Sequence, residues 1–191
     1  QFSIFSGGRG VFPYDGNPVL KDSHPFLGRS LQDWYFLPEG VSDLPKGGTI
    51  RFGFPHANPI YTALRLSHRG ATQSWGSELK REMKRYWREE RTVEFETFAD
   101  FLPNPGTRVD LDPEVRDRWG LPVARLRIRS PRHHEKAGRF LQEKGLEVLS
   151  AAGASEVHPE TLAGVTGHLV HGTCRAGKDP EKSVLNGECR A

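Results

Sequence analysis

Thr92-Val93-Glu94-Phe95-Glu96-Thr97-Phe98 is the stretch that decides the fold. Val93, Phe95 and Thr97 share one face and the glutamates fall between them, the period of two expected of a half-buried strand. Downstream, Pro103-Asn104-Pro105-Gly106 turns the chain, and Arg108-Val109-Asp110-Leu111 reads as the return strand of a hairpin-like unit. Asp112-Pro113 opens another turn. Trp119-Gly120-Leu121-Pro122 then leads into Val123 to Ile128, where Val123, Arg125 and Arg127 alternate with Ala124, Leu126 and Ile128. Upstream, Thr49-Ile50-Arg51-Phe52-Gly53-Phe54 alternates in the same way, and Asp33-Trp34-Tyr35-Phe36-Leu37 is expected to be a short strand.

Two segments carry helical spacing. Over about residues 74–90, Leu79, Met83, Tyr86 and Trp87 recur on one side, Ser74 is placed to cap, and Lys80, Arg81, Lys84, Arg85 and Arg88 occupy the other side. The second helix follows Ser130 as cap and Pro131 at its first position, with Phe140, Leu141, Val148 and Leu149 as its apolar stripe. Gly138 and Gly145 weaken it, and Gly153 ends it. Residues 1–48 otherwise read as loop, punctuated by Gly7-Gly8-Arg9-Gly10, Pro13-Tyr14-Asp15-Gly16 and Pro45-Lys46-Gly47-Gly48. Residues 154–191 also read as loop, apart from a short apolar segment at 168–170. Strands and helices that do not alternate regularly predict an α+β fold, a mainly antiparallel sheet flanked by helices, in one domain spanning 1–191.

The composition narrows the function. At 191 residues the chain can bury a real core, and a charged fraction of 27% with mixed signs suits a folded surface. The net charge of only +3, with no long basic block interleaved with aromatics, argues against nucleic-acid binding. No apolar run reaches the roughly 18 residues of a membrane span. Cys174 and Cys189 are too few for a disulfide framework and read as reduced thiols, which points to the cytoplasm. There is no Gly-x-Gly-x-x-Gly strand-turn-helix and no Gly-x-Ser-x-Gly elbow. Gly7-Gly8-Arg9-Gly10 is followed by Pro13 and does not open a helix.

The chemistry concentrates in the tail. His168-Leu169-Val170-His171-Gly172-Thr173-Cys174-Arg175-Ala176-Gly177-Lys178-Asp179-Pro180 is closed by Ser183-Val184-Leu185-Asn186-Gly187. Two imidazoles beside a Gly-Thr turn provide a base of near-neutral pKa where backbone can approach a planar group closely. His168, His171, Cys174 and Cys189 also have metal-binding donor atoms, but not the paired spacing of a zinc site. His133-His134, at a helix start, read as surface residues.

This tail resembles the carboxy-terminal signature of the glucose-methanol-choline (GMC) family of flavin oxidoreductases, roughly His-x-x-Gly-Thr-x-Arg-Met-Gly-x-Asp-Pro-x-x-Ser-Val. The resemblance extends upstream through Phe101 to Pro113, Asp117 to Pro122 and the helix from Lys136 to Gly153. It implies the substrate-binding portion of an FAD-dependent enzyme that oxidises a hydroxyl of a sugar or another alcohol. The Rossmann-like FAD domain of the same protein would lie outside this sequence, and residues 160–191 would border the flavin. His168 or His171 would be the base, with Gly172, Thr173 and Asn186 on the cofactor side. The family's histidine stands three positions before the glycine, where this chain has Leu169. His168 would reach that place through a one-residue bulge, and His171 is its rival. Ala176 replaces the family's usual Met. The competing class is a non-catalytic binding or interaction domain, built on the basic helix and on the aromatics Trp34, Tyr35, Trp75 and Trp87.

Overall fold

The computed structural model describes residues 2–13, 28–54, 58–68, 73–89, 91–161 and 174–190. Its centre is the stretch quoted first: β4 (Arg91–Asp100) is hydrogen-bonded on both sides. It pairs antiparallel with β3 (Gly48–Gly53) on one flank and with β1 (Phe2–Phe12) on the other. β2 (Ser30–Leu31) extends the sheet beyond β3, and β7 (Glu156–Thr161) extends it beyond β1. The order β2-β3-β4-β1-β7 is antiparallel at every pairing, so the α+β class with a mainly antiparallel sheet holds.

The long helix α3 (Arg132–Ala151) covers one face of this sheet. Ile50, Phe95 and Ala99 from the strands meet Ala137, Leu141 and Leu149 from the helix, and these six residues form the buried core. Gln142 Nε2 ties the layers together, donating to the carbonyls of Gly7 at 2.8 Å and Glu160 at 3.1 Å. Gly145 lies over the Phe95 ring, where a Cβ would sit 2.4 Å from a ring carbon. The glycine expected only to weaken the helix is thus the seat of the largest core side chain. The helix stops at Ala152, and Gly153 takes φ +93 to turn the chain into β7.

Alternation along β4 sends Glu94, Glu96 and Phe98 to the opposite face. Arg51 pairs with Glu96 at 2.7 Å, Arg65 with Glu94 at 3.0 Å and Arg9 with Glu160 at 3.7 Å, so that face is laced with half-exposed ion pairs. Arg65 belongs to α1 (Pro59–Ser67), whose Asn58 cap accepts from the backbone of Ile60 and Tyr61. α1 packs on α2 (Gly76–Arg88). The basic helix is therefore present with Tyr86 buried and Leu79, Met83 and Trp87 half-buried. Its cap is Trp75 and not Ser74, whose hydroxyl is buried without a partner among the described residues.

Other expectations are corrected. Residues 1–48 are not all loop: Gly7-Gly8-Arg9-Gly10 lies in β1, next to the sheet's central strand. A Cβ on Gly8 would sit 2.6 Å from the Phe95 ring, so the glycines there serve close packing and not a turn. Asp33 to Leu37 is turn, with one isolated bridge from Phe36 to Lys46. Arg108 to Leu111 does not return along β4. It belongs to β5 (Arg108–Arg116), which pairs with β6 (Pro122–Arg127) in a separate two-stranded sheet. The short connection 117–121 makes that local pairing cheap in loop entropy. Residues 156–161, read as loop, supply the edge strand β7.

His133 and His134 are not surface residues. They are 7% and 4% exposed at the start of α3. His133 Nδ1 shares a hydrogen bond of 2.8 Å with Ser42, and its Nε2 is buried without a partner among the described residues. His134 lies edge-on to Phe101 at 5.0 Å. Burial pushes its pKa below the usual histidine value, against hydrogen bonds to the backbone of Asp100 and Ala99 and the charge of Glu135. A polar pair at a helix start looks exposed in sequence; here Ser42 and the end of β4 lie against it.

Candidate functional site

Residues 174–190 form a loop that closes on itself. Ala176 and Leu185 make an isolated parallel bridge, and Gly177 N donates to Leu185 O at 2.9 Å. Val184 N donates to Arg175 O at 2.8 Å, and the Arg175 guanidinium donates to the Lys182 carbonyl. Within the loop, the Asp179 carboxylate accepts from Glu181 N at 3.0 Å, an Asx turn that begins the Asp179-Pro180 corner. Ser183 Oγ donates to Asp179 O at 2.8 Å. A Cβ on Gly177 would lie 2.2 Å from that same Ser183 Oγ, so a larger residue there would displace the hydroxyl that bonds Asp179.

Asn186 is the one candidate cofactor-side residue among the described positions. Its Oδ1 accepts from Glu188 N at 2.9 Å and Arg190 N at 3.0 Å, and its own N–H donates to Arg190 O at 2.8 Å. The side-chain oxygen therefore folds the next turn, in which Cys189 takes φ +59. His168, His171, Gly172 and Thr173 lie outside the described residues. The zinc alternative needs the same two histidines and falls outside with them. Cys174 and Cys189 are exposed free thiols.

The described half of the tail pattern is thus a scaffold. Gly177, Asp179, Ser183 and Asn186 are spent on holding backbone in place, as the Gly, Asp-Pro and Asn signals suggest. The Arg175 contact to Lys182 O is the component that sequence reading missed. An arginine beside a glycine gives no local sign that its partner is a carbonyl seven residues on.

The upstream pieces of the resemblance are also structural. Asn104 and Thr107 hydrogen-bond to Arg129 O, each at 3.1 Å, and fasten the base of the β5–β6 hairpin. At its tip, Asp117 Oδ1 accepts from Trp119 N and Leu121 N, and Gly120 takes φ +79. On one face Asp110 meets Arg108 at 3.3 Å, Arg125 at 3.5 Å and Arg127 at 3.1 Å. Desolvation raises the Asp110 pKa, but hydrogen bonds from Arg125 and Arg108 and the charges of Arg127 and Arg125 outweigh it and hold the carboxyl below its usual value. Among the described residues, no group of three or more His, Cys, Asp or Glu is arranged to hold a metal ion. None of the described helices is long and apolar enough to cross a membrane.

No family model matches the chain. It is 30% identical over 149 residues to a 2-methyl-1,2-propanediol dehydrogenase of Mycolicibacterium austroafricanum, a match that covers 76% of this chain and 26% of that protein. The chain therefore aligns with about a quarter of the length of that relative.

Proposed function

We propose that the chain is the substrate-binding part of a flavin-dependent alcohol or sugar oxidoreductase of the GMC type. The observation that carries this is its similarity to a protein named as the dehydrogenase of a small diol. The relative's far greater length is compatible with a further, Rossmann-like FAD domain in the same protein. The tail pattern supplies the chemistry. His168 or His171 takes the hydroxyl proton of a C–OH group, and Gly172 and Thr173 shape the backbone beside the cofactor. Bound FAD would supply the hydride acceptor.

The donor set fits such a group. Imidazole is the side chain best matched to removing a hydroxyl proton near neutral pH, and a glycine turn leaves space for a planar ring. The loop 174–190 contributes rigidity, because its own hydrogen bonds fix the backbone that leaves Thr173. Asn186 acts through that loop geometry and serves as a positioning residue.

His168→Ala and His171→Ala in the intact gene product test the assignment. Anaerobic stopped-flow reduction of the flavin by a small diol should slow by 10²-fold or more for the variant that removes the base. If neither variant slows it, or if the intact protein purifies colourless and cannot be reconstituted with FAD, the reading fails.

A further inference from the structure

Many cations elsewhere in this fold are paired with carboxylates. Arg9, Lys46, Arg51, Arg65, Arg108, Arg125, Arg127 and Lys144 each face a carboxylate within 4 Å. On α2 the side chains of Lys80, Arg81, Lys84, Arg85 and Arg88 are all exposed. Helical geometry gathers them on one side of about three and a half turns, roughly 20 Å long. Lys80, Arg81, Lys84 and Arg88 have no ion pair among the described residues. Five cations against Glu78 and Glu82 leave α2 with +3, equal to the net charge of the entire chain. The five exposed cations make one face of this helix locally positive.

This arrangement works against the helix itself. Lys80/Lys84, Lys84/Arg88 and Arg81/Arg85 are like-charge neighbours one turn apart, and each pair repels. Only the cations in the last turn, Arg85 and Arg88, gain from the helix dipole.

We propose that the exposed face of α2 is a docking surface for an acidic protein, one that presents a cluster of Asp and Glu side chains. Charge complementarity selects the class of partner, and two features select protein over lipid or nucleic acid. The helix has already committed its apolar side to the fold, with Tyr86 buried and Leu79 and Met83 half-buried. It therefore has no free apolar face to lay into a bilayer surface, as interfacial helices do. Glu78 and Glu89, both exposed, bracket the cations at either end. A patterned protein surface can match that arrangement, while a uniformly anionic backbone or headgroup layer would meet repulsion at both ends. Trp75, 79% exposed at the first turn, supplies an aromatic anchor beside the charges. Such a surface acts mainly by steering encounter, so binding should weaken steeply with salt.

Poly-L-glutamate is the probe, titrated into the intact gene product at low ionic strength and followed by calorimetry. It should bind, and K84E/R88E should weaken binding by about tenfold or more. R132E/R139E changes the net charge equally at two exposed positions on α3 and should change affinity by less than about twofold. K80Q/K84Q, which introduces no new charge, should give an intermediate loss. Equal losses from the α2 and α3 reversals would overturn the proposal, because net charge alone would then explain binding. So would failure of poly-L-glutamate to bind, or tighter binding to phosphatidylserine vesicles or duplex DNA at the same salt. These readouts do not depend on flavin or turnover, so they stand apart from a failure of the functional assignment above.

Discussion

Phe95 and Leu126 occupy equivalent places in their local sequences, each an apolar residue between charged neighbours in a strand. Phe95 is 3% exposed and Leu126 is 66% exposed. The difference is α3. The five-stranded sheet is roofed by a 20-residue helix, while no described element covers the apolar face of the β5–β6 hairpin. Val109 stands opposite Leu126 and Leu111 opposite Ala124, and Val109 and Leu111 are likewise mostly exposed. An alternating pattern thus specifies that a strand has two unlike faces. Whether the apolar face is buried depends on a partner far away in sequence.

The contrast predicts a graded series of effects. Phe95→Ala should be the most damaging change, costing about 3–5 kcal/mol in denaturant unfolding, because a cavity opens between β4 and α3. Gly145→Ala comes next and runs against helix propensity. Alanine should favour the helix by up to about 1 kcal/mol, yet the new methyl would press on the Phe95 ring and a net loss of about 1–3 kcal/mol is expected. A melt showing Gly145→Ala more stable than the parent would mean that the ring has room to move, and the tight roof would be disproved.

The same roof predicts acid sensitivity. His134 is buried with its pKa below the unfolded value of about 6.5, so the unfolded chain binds more protons between the folded and unfolded values. Its contribution to stability is complete above about pH 6.5 and is lost as pH falls below that. Melting temperatures should therefore decline on acidification from about pH 7.5 to 5, and His134→Gln should flatten part of the decline. Lys46, Asp100, His133 and Glu135 lie around this site and must keep their native state in the comparison. Leu126→Ala should have the smallest effect, within about 0.5 kcal/mol in this chain. A loss as large as that of Phe95→Ala would show that the hairpin face is covered in solution.

Some elements could be read from the sequence because their signals are local. β4 and α3 declared themselves through period and flanking breakers, and α2 through its two-sided pattern. α1 is signalled only by Asn58-Pro59, because nine residues give a short pattern. β1 is hard to see in the sequence because three glycines in four positions usually mark a turn. Close contacts of Gly7 to the Phe95 carbonyl, of Gly8 to the Phe95 ring and of Gly10 to Ala154, Phe12 and Leu149 explain why they suit a strand. In the tail, the turn-forming roles of Gly177, Asp179 and Asn186 followed from residue type. The Arg175 contact did not, since a guanidinium accepts many partners.

Composition and periodicity by themselves determined the α+β class, the central strand, the long helix and the concentration of charge on α2. These depend on interactions within a few residues, which the order of side chains encodes directly. Tertiary structure alone decided that β5 leaves β4 to pair with β6, that Gly145 exists to admit a ring, and that His133 and His134 are buried. Each of those is a contact between residues distant along the chain, and burial is a property of what covers a side chain and not of the side chain itself.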